Sequence, residues 1–317
     1  MAPAELEPAY VKLLSTGELS RRADTLEALL ERCELCPRMC RVDRRRTLGE
    51  CRTPAHPVVA SWGPHLGEEP PLSGTRGSGT VFLANCNLRC VYCQNADISQ
   101  GPDPGSGRAP TADALASVML ELQELGCHNV NWVSPTHQVA ALVRALQLAA
   151  QRGLRIPVVY NTNGYDAPAV LALLDGVVDI YLPDLKYADP AVGAALSAVP
   201  DYPRVARAAV AEMHRQVGSS WVLARDGTLR RGLLVRLLVL PDGLAGAGET
   251  LRWLAEELSP DLAVSLMFQY RPAHRAARAK GYRGLARPLS RGEATRALAE
   301  LARHNRSRNT IVQRVRA

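Results

Sequence analysis

From residue 79 onward the chain alternates short β-rich runs with longer helical ones, and no other feature constrains its fold as much. GTVFLAN gives way to ALASVMLELQEL, HNVNWVS to QVAALVRALQLAAQR, IPVVYNT to APAVLALLDG, and VVDIYLPDL to a helical region over about 190–217. GLLVRLLVLP, ETLRWLAEEL, LAVSLMFQY and RGEATRALAELARH complete the series. Six strand–helix alternations in one direction predict an α/β fold with a parallel sheet, and six such units suit an open partial (β/α)6 barrel. The length of 317 residues suits either two domains or one large α/β barrel. Barrels of this kind bind ligands at the C-terminal ends of their strands, so functional residues are expected just after each apolar run.

The segment before the barrel reads differently. Apolar positions at helical spacing (Tyr10, Leu13, Leu14, then Leu26, Leu29, Leu30) predict two short helices broken at Thr16-Gly17. CELCPRMCRVDRRRTLGEC over 33–51 is polar and knuckle-like, and the Gly- and Pro-rich stretch up to 79 predicts ordered loop with short strands. The expected division is therefore an N-terminal segment of helices, cysteine knuckle and loop (1–75), a barrel (76–304) and a basic tail (305–317).

Composition excludes some classes. With 47% hydrophobic and 22% charged residues, the chain has ample apolar material for a core and is not expected to be disordered. No apolar run reaches the ~18 residues of a membrane span, and the N-terminus lacks the basic-then-apolar layout of a signal peptide. A cytoplasmic protein with no membrane partner is the expectation. The net charge of +7 comes almost wholly from arginine. This pattern reads as codon bias, so nucleic acid is not an expected partner. Lys12, Lys186 and Lys280 are the only lysines, which draws attention to Lys186.

Seven of the eight cysteines fall between Cys33 and Cys93. In a reducing compartment, clustered thiols read first as metal ligands. Cys86-x3-Cys90-x2-Cys93 follows the first barrel strand, and its three soft ligands suit an iron–sulfur cluster or zinc; buried structural thiols are the alternative. Cys33-x2-Cys36-x3-Cys40-x10-Cys51 suits a closed zinc site or a second [4Fe–4S] cluster, with a redox-active pair at Cys33 and Cys36 as a third reading. Cys127 stands alone and reads as a core residue.

With GSGTVFLANCNLRCVYCQNADIS, CELCPRMC, LGEEPPLSG, VNWVSPTHQV, PVVYNTNGY, DIYLPDLKY and MFQYRP, the chain resembles the radical S-adenosylmethionine (SAM) superfamily over most of its length. Within it, these motifs are similar to the PflX-like branch, relatives of the pyruvate formate-lyase activating enzyme. The resemblance implies a [4Fe–4S] cluster on Cys86, Cys90 and Cys93, with SAM on its open iron. It implies reductive cleavage of SAM to a 5′-deoxyadenosyl radical that abstracts hydrogen, with electrons from a donor such as flavodoxin or ferredoxin. An oxidoreductase that activates or modifies a protein or peptide, as glycyl-radical activases do, is the expected activity.

The resemblance also implies SAM contacts at Tyr92, Thr136, Asn161, Asp184, Lys186 and Arg236. Thr136 stands in SPTH where many relatives carry a Gly-Gly-Glu-type motif, and Asn161 stands where the activating enzymes have Asp. Asp184 and Lys186 share one face of their strand, where an acceptor and an ammonium suit the ribose and carboxylate of SAM. Arg236 interrupts an apolar run, where a charge must be paired. His137 reads as a ligand, a proton handler or a helix-start residue, and Gln269-Tyr270-Arg271 as rim. Two other functions fit less of the sequence: radical modification of RNA through the arginine-rich segments, and a non-catalytic metal-binding interaction module.

Overall fold

The computed structural model describes residues 7–101 and 110–313. The extreme N-terminus (1–6) and the last four residues of the basic tail lie outside the described residues. In chain order the elements begin α1 (Ala9–Ser15), α2 (Glu18–Ala28), β1 (Val59–His65), α3 (Pro70–Ser73), β2 (Ser78–Leu83), α4 (Ala96–Ser99) and α5 (Ala112–Glu124). They continue with β3 (Val130–Val133), α6 (Val139–Gln151), β4 (Val158–Thr162), α7 (Pro168–Ala172), β5 (Ile180–Pro183), α8 (Pro190–Ser197) and α9 (Tyr202–Val217). Last come β6 (Val222–Leu223), β7 (Leu229–Leu238), α10 (Ala247–Trp253), β8 (Ala263–Met267), α11 (Arg291–His304) and β9 (Ile311–Gln313).

The local signals explain most boundaries. Gly17, at φ 71°, separates α1 from α2 where the sequence predicts a break. Thr111 caps α5 by accepting from the Ala114 amide at 3.1 Å, and Asp189 caps α8 ahead of a first-turn proline. Ser290 and Glu293 form a reciprocal capping box on α11.

The strands build one α/β sheet in the order β1-β2-β3-β4-β5-β7-β8-β9. Every neighbouring pair along this path is parallel except β1–β2, and β6 adds an antiparallel flap on β7. The sheet therefore exceeds the six strands expected. Ile311–Gln313, within the segment read as a tail, pair with β8, and β1 covers the other edge. Both additions are edge strands whose short or Gly- and Pro-interrupted sequences carry little periodic signal.

The two faces of the sheet have different partners. One, with Trp132, Tyr160, Tyr181, Val235 and Val264, packs into the large core that includes α2, α5, α6 and α9. The other carries Val159, Ile180, Leu182, Leu234 and Ala263, which enclose Leu72 from α3. The segment between β1 and β2 thus packs on that second face through Leu72, with Trp221 and Ile311 beside it.

Candidate functional site

Period-two alternation continues from Val159 to Asn161, from Leu182 to Asp184 and Lys186, and from Leu234 to Arg236. Polar residues therefore follow apolar ones on the same face at the C-terminal ends of β4, β5 and β7. They line a cavity of about 280 Å³ together with Cys86, Cys90, Cys93, Tyr92 and Asn163. Lys186 Nζ donates to Asp184 Oδ2 at 2.7 Å, and Arg236 Nε donates to Asp184 Oδ1 at 2.9 Å. A second Arg236 nitrogen donates to Asn161 Oδ1. Asp184 and Arg236 also face each other as a backbone bridge, where the Leu185 amide donates to the Arg236 carbonyl. Burial works against the Asp184 carboxylate, but the charges and hydrogen bonds of Arg236 and Lys186 outweigh it and hold its carboxyl below the usual range. Lys186 is raised in turn: burial opposes its charge, and Asp184 more than restores it.

The sequence reading missed a fourth charge. Glu68, from the loop before α3, lies 3.6 Å from Arg236 and accepts from Asn161 Nδ2 at 3.5 Å. Burial raises its carboxyl and Arg236 partly offsets the shift. Next to it, Glu69 is buried and accepts from Gln313 on β9 at 3.0 Å. The LGEEPPLSG motif contains both glutamates, yet nothing local says that they reach the other side of the sheet.

The cysteine loop lines the same cavity, close enough for the Lys186 charge to act on Cys86 and Cys90. Hydrogen-bond donors surround its sulfurs: the Leu88 amide and Asn163 Nδ2 both point at Cys86 Sγ at 3.4 Å, and Ser197 Oγ donates to Cys90 Sγ at 2.9 Å. Cys93 Sγ lies 3.2 Å from Ser99 Oγ. Burial pushes the Cys86 thiol up to about 11, with Cys90 and Cys93 close enough to add to the shift. Burial raises Cys90 too, while the Lys186 charge opposes it. Three neighbouring thiols ringed by donors fit a thiolate-bound cluster, and the cationic and anionic groups of the same cavity fit a zwitterionic ligand beside it.

Other predicted residues fall elsewhere. Tyr92 reaches the cavity with its ring, while its hydroxyl donates to Tyr187 at 2.7 Å. Thr136 does not line the cavity. It is buried, and its hydroxyl donates to Asp166 at 2.7 Å, alongside those of Tyr160 and Thr162. Ser134, at φ 60°, stands on the cavity wall instead, because the chain turns sharply at the end of β3 before Thr136. His137 is buried, its ring nitrogen faces the Ala84 carbonyl, and burial lowers its pKa to about 3. Cys127 is a core residue, and of the Gln269–Arg271 segment only Gln269 lines the cavity.

The knuckle packs against the cysteine loop. Arg44, buried within it, donates to the carbonyls of Thr53, Pro54 and His137 at 2.9, 2.6 and 2.6 Å and comes within 4.0 Å of Cys33 Sγ. Cys36 is pushed up to about 12 by burial, and Cys51, Cys33 and Cys40 all contribute to the shift, so the four thiols share one neighbourhood. The Glu50 amide points at Cys40 Sγ at 3.4 Å. Among the described residues, no three His, Cys, Asp or Glu side chains are grouped to hold a metal ion. A zinc ion needs every sulfur about 2.3 Å from one point, whereas a cubane spreads its thiolates over separate irons.

Fold and site together define a mostly parallel α/β protein with three thiols and an ion network facing one cavity at the strand ends. Residues 80–220, from β2 through α9, match the family model of the Radical SAM superfamily. The chain is also similar to Uncharacterized protein MJ0674 of Methanocaldococcus jannaschii, at 29% identity over 293 residues, or 90% of this chain and 79% of that one. No helix among the described residues is long and apolar enough to cross a membrane.

Proposed function

We propose that the protein is a cytoplasmic radical SAM enzyme, a partial (β/α)6 barrel of the PflX-like branch, acting on a protein or peptide. One observation carries the reading: the three thiols after β2 face the same cavity as the Asp184–Lys186–Arg236 network. When bound, a [4Fe–4S] cluster on Cys86, Cys90 and Cys93 and a SAM molecule supply reductive C–S cleavage and a hydrogen-abstracting radical. The protein's part is to bind, orient and exclude water. Lys186 and Arg236 offer cationic donors to a carboxylate, and Asp184 offers an acceptor to hydroxyl or ammonium groups. Asn163 and Ser197 donate to the sulfurs of Cys86 and Cys90 and fix their directions. The ring of Tyr92 supplies an apolar wall.

The knuckle of Cys33, Cys36, Cys40 and Cys51 is read as a second, closed metal site, holding zinc or another [4Fe–4S] cluster, with a structural or electron-relaying role. The glycyl-radical-activase role rests on analogy with relatives. Protein prepared without oxygen should be brown and, once reduced, should release 5′-deoxyadenosine from SAM. Cys90→Ala should abolish that release. Undiminished release in Cys90→Ala would overturn the reading.

A further inference from the structure

Tyr92 presents its ring to the cavity, and its hydroxyl begins a buried chain that returns to the cysteine loop. Tyr92 Oη donates to Tyr187 Oη at 2.7 Å, Tyr187 Oη lies 2.6 Å from Ser197 Oγ, and Ser197 Oγ donates to Cys90 Sγ at 2.9 Å. Tyr92, Tyr187, Ser197 and Cys90 are all buried.

The local sequence places each member. Lys186 lines the cavity, so by alternation Tyr187 points behind it into the large core. Ser197 is the last residue of α8. The carbonyls of Leu196 and Ser197 accept from the Val91 and Arg89 amides at 2.9 and 3.2 Å, which fastens the end of that helix to the cysteine loop. Its final side chain therefore lies against the Cys90 sulfur. The donors to Cys86 lie at 3.4 Å and Ser99 lies 3.2 Å from Cys93, so among the described residues the contact to Cys90 is the shortest of the three.

Counting protons fixes the direction of the chain. Each hydroxyl has one proton to give, and a thiolate can only accept. Ser197 directs its proton at Cys90, so Tyr187 must donate to Ser197 and Tyr92 to Tyr187. All three O–H dipoles then point towards one sulfur. Burial requires a partner for each hydroxyl but not a common direction. Aligned bonds of this kind strengthen one another in a low-dielectric interior.

We propose that Ser197, Tyr187 and Tyr92 form a directed hydroxyl chain that raises the reduction potential of the cluster held at Cys90. The inference rests on reading Cys86, Cys90 and Cys93 as cluster ligands. Reduction adds one electron from a one-electron reductant; no bond forms or breaks, and the three hydroxyls keep their protons. Donors aimed at a ligand sulfur favour the more negative, reduced state. Ser197 touches the sulfur itself, whereas Tyr187 and Tyr92 are positioning residues that act through it.

The test is a redox titration of reconstituted full-length protein with dithionite, the reduced cluster being read by electron paramagnetic resonance. SAM is left out, so that contacts with the Tyr92 ring do not enter. At the potential where half of the wild-type clusters are reduced, Ser197→Ala should lower the reduced-to-oxidised ratio about tenfold, a shift of about 59 mV for a one-electron couple. Tyr187→Phe should lower it roughly threefold and Tyr92→Phe roughly twofold, because each removes a more distant dipole. Tyr270→Phe is the control. Its ring also packs on that of Tyr92, but its hydroxyl donates to the Leu285 carbonyl, off the chain, so its ratio should match the wild type. Tyr92→Phe keeps the ring contacts with Tyr187 and Tyr270 and remains decisive if Tyr187→Phe disturbs the packing. An unchanged ratio in Ser197→Ala or in both chain tyrosine variants would overturn the proposal, as would an equal drop in Tyr270→Phe. Wild-type protein that binds no iron would overturn the functional reading, and this proposal with it.

Discussion

Glu68 and Arg236 lie 3.6 Å apart on the second face of the sheet, one from the loop before α3 and the other from the end of β7. The pair completes a buried network in which Arg236 also holds Asp184 and Asn161. Glu68→Gln keeps the shape and removes the charge, so Arg236 loses one of its restraints. SAM affinity should fall about three- to tenfold with iron content unchanged, a difference of roughly 1 kcal/mol. Calorimetry on reconstituted protein measures it, and an unaltered affinity would leave Glu68 as scaffold alone.

Asp184 carries two cations at once. Asp184→Ala leaves Arg236 and Lys186 largely buried without their shared anion. Breaking a buried pair costs about 3–5 kcal/mol, and the partial exposure of these side chains reduces this to about 2–3 kcal/mol. Urea unfolding should show that loss. Lys186→Ala retains the Asp184–Arg236 pair and should be milder in stability, yet both variants should bind SAM at least tenfold more weakly while keeping their iron. Equal affinity in all three proteins would assign the network to stability alone.

Gly164 permits the ends of β4 and β5 to approach. Its φ is 80°, and a Cβ there would strike the Asp184 carbonyl and come within 3.0 Å of the Tyr202 hydroxyl. That hydroxyl donates to the carbonyls of Asn163 and Asp184 and accepts from the Lys186 amide. Gly164→Ala should therefore cost about 1–3 kcal/mol and displace Asp184 and Lys186. A melting temperature and SAM affinity matching the wild type would contradict this.

Asp179 ties α1 to the sheet, accepting from the amides of Ala9 and Val158 at 2.9 and 3.0 Å. Burial raises its carboxyl from 3.8 to about 7, and the two amide bonds only partly oppose the shift. Between those values the folded protein holds a proton that the unfolded chain has released. The contribution to stability is therefore complete below about pH 4 and is lost as pH rises towards and through 7. Urea midpoints at pH 5 and pH 8 should differ more in the wild type than in Asp179→Asn. Equal differences would mean that Asp179 titrates normally.

Metal analysis of reconstituted protein tests the knuckle. About four irons and one zinc per chain indicate a zinc knuckle, and about eight irons indicate two clusters. Replacing Cys33, Cys36, Cys40 and Cys51 together by Ala should remove only the second component. Four irons, no zinc, and no change on that replacement would refute a second site.

Much of the molecule was legible because its signals are local. Alternating β and helical runs point to a parallel sheet, and the rule that ligands meet strand ends, together with the motifs that resemble the superfamily, directs attention to Asn161, Asp184, Lys186 and Arg236. The spacing of Cys86, Cys90 and Cys93 on one loop marks further lining of the same cavity. What stayed hidden depends on distant contacts. Asn161 meets Glu68 across 93 positions, and no periodicity encodes which segment will cover a given face of a sheet. Thr136 and Ser134 differ only in how the chain turns after β3, a backbone conformation that sequence spacing does not report. The knuckle's place against the cysteine loop is likewise tertiary, because Arg38 and Arg89 reach across it to backbone carbonyls, acceptors that every residue carries and no sequence distinguishes.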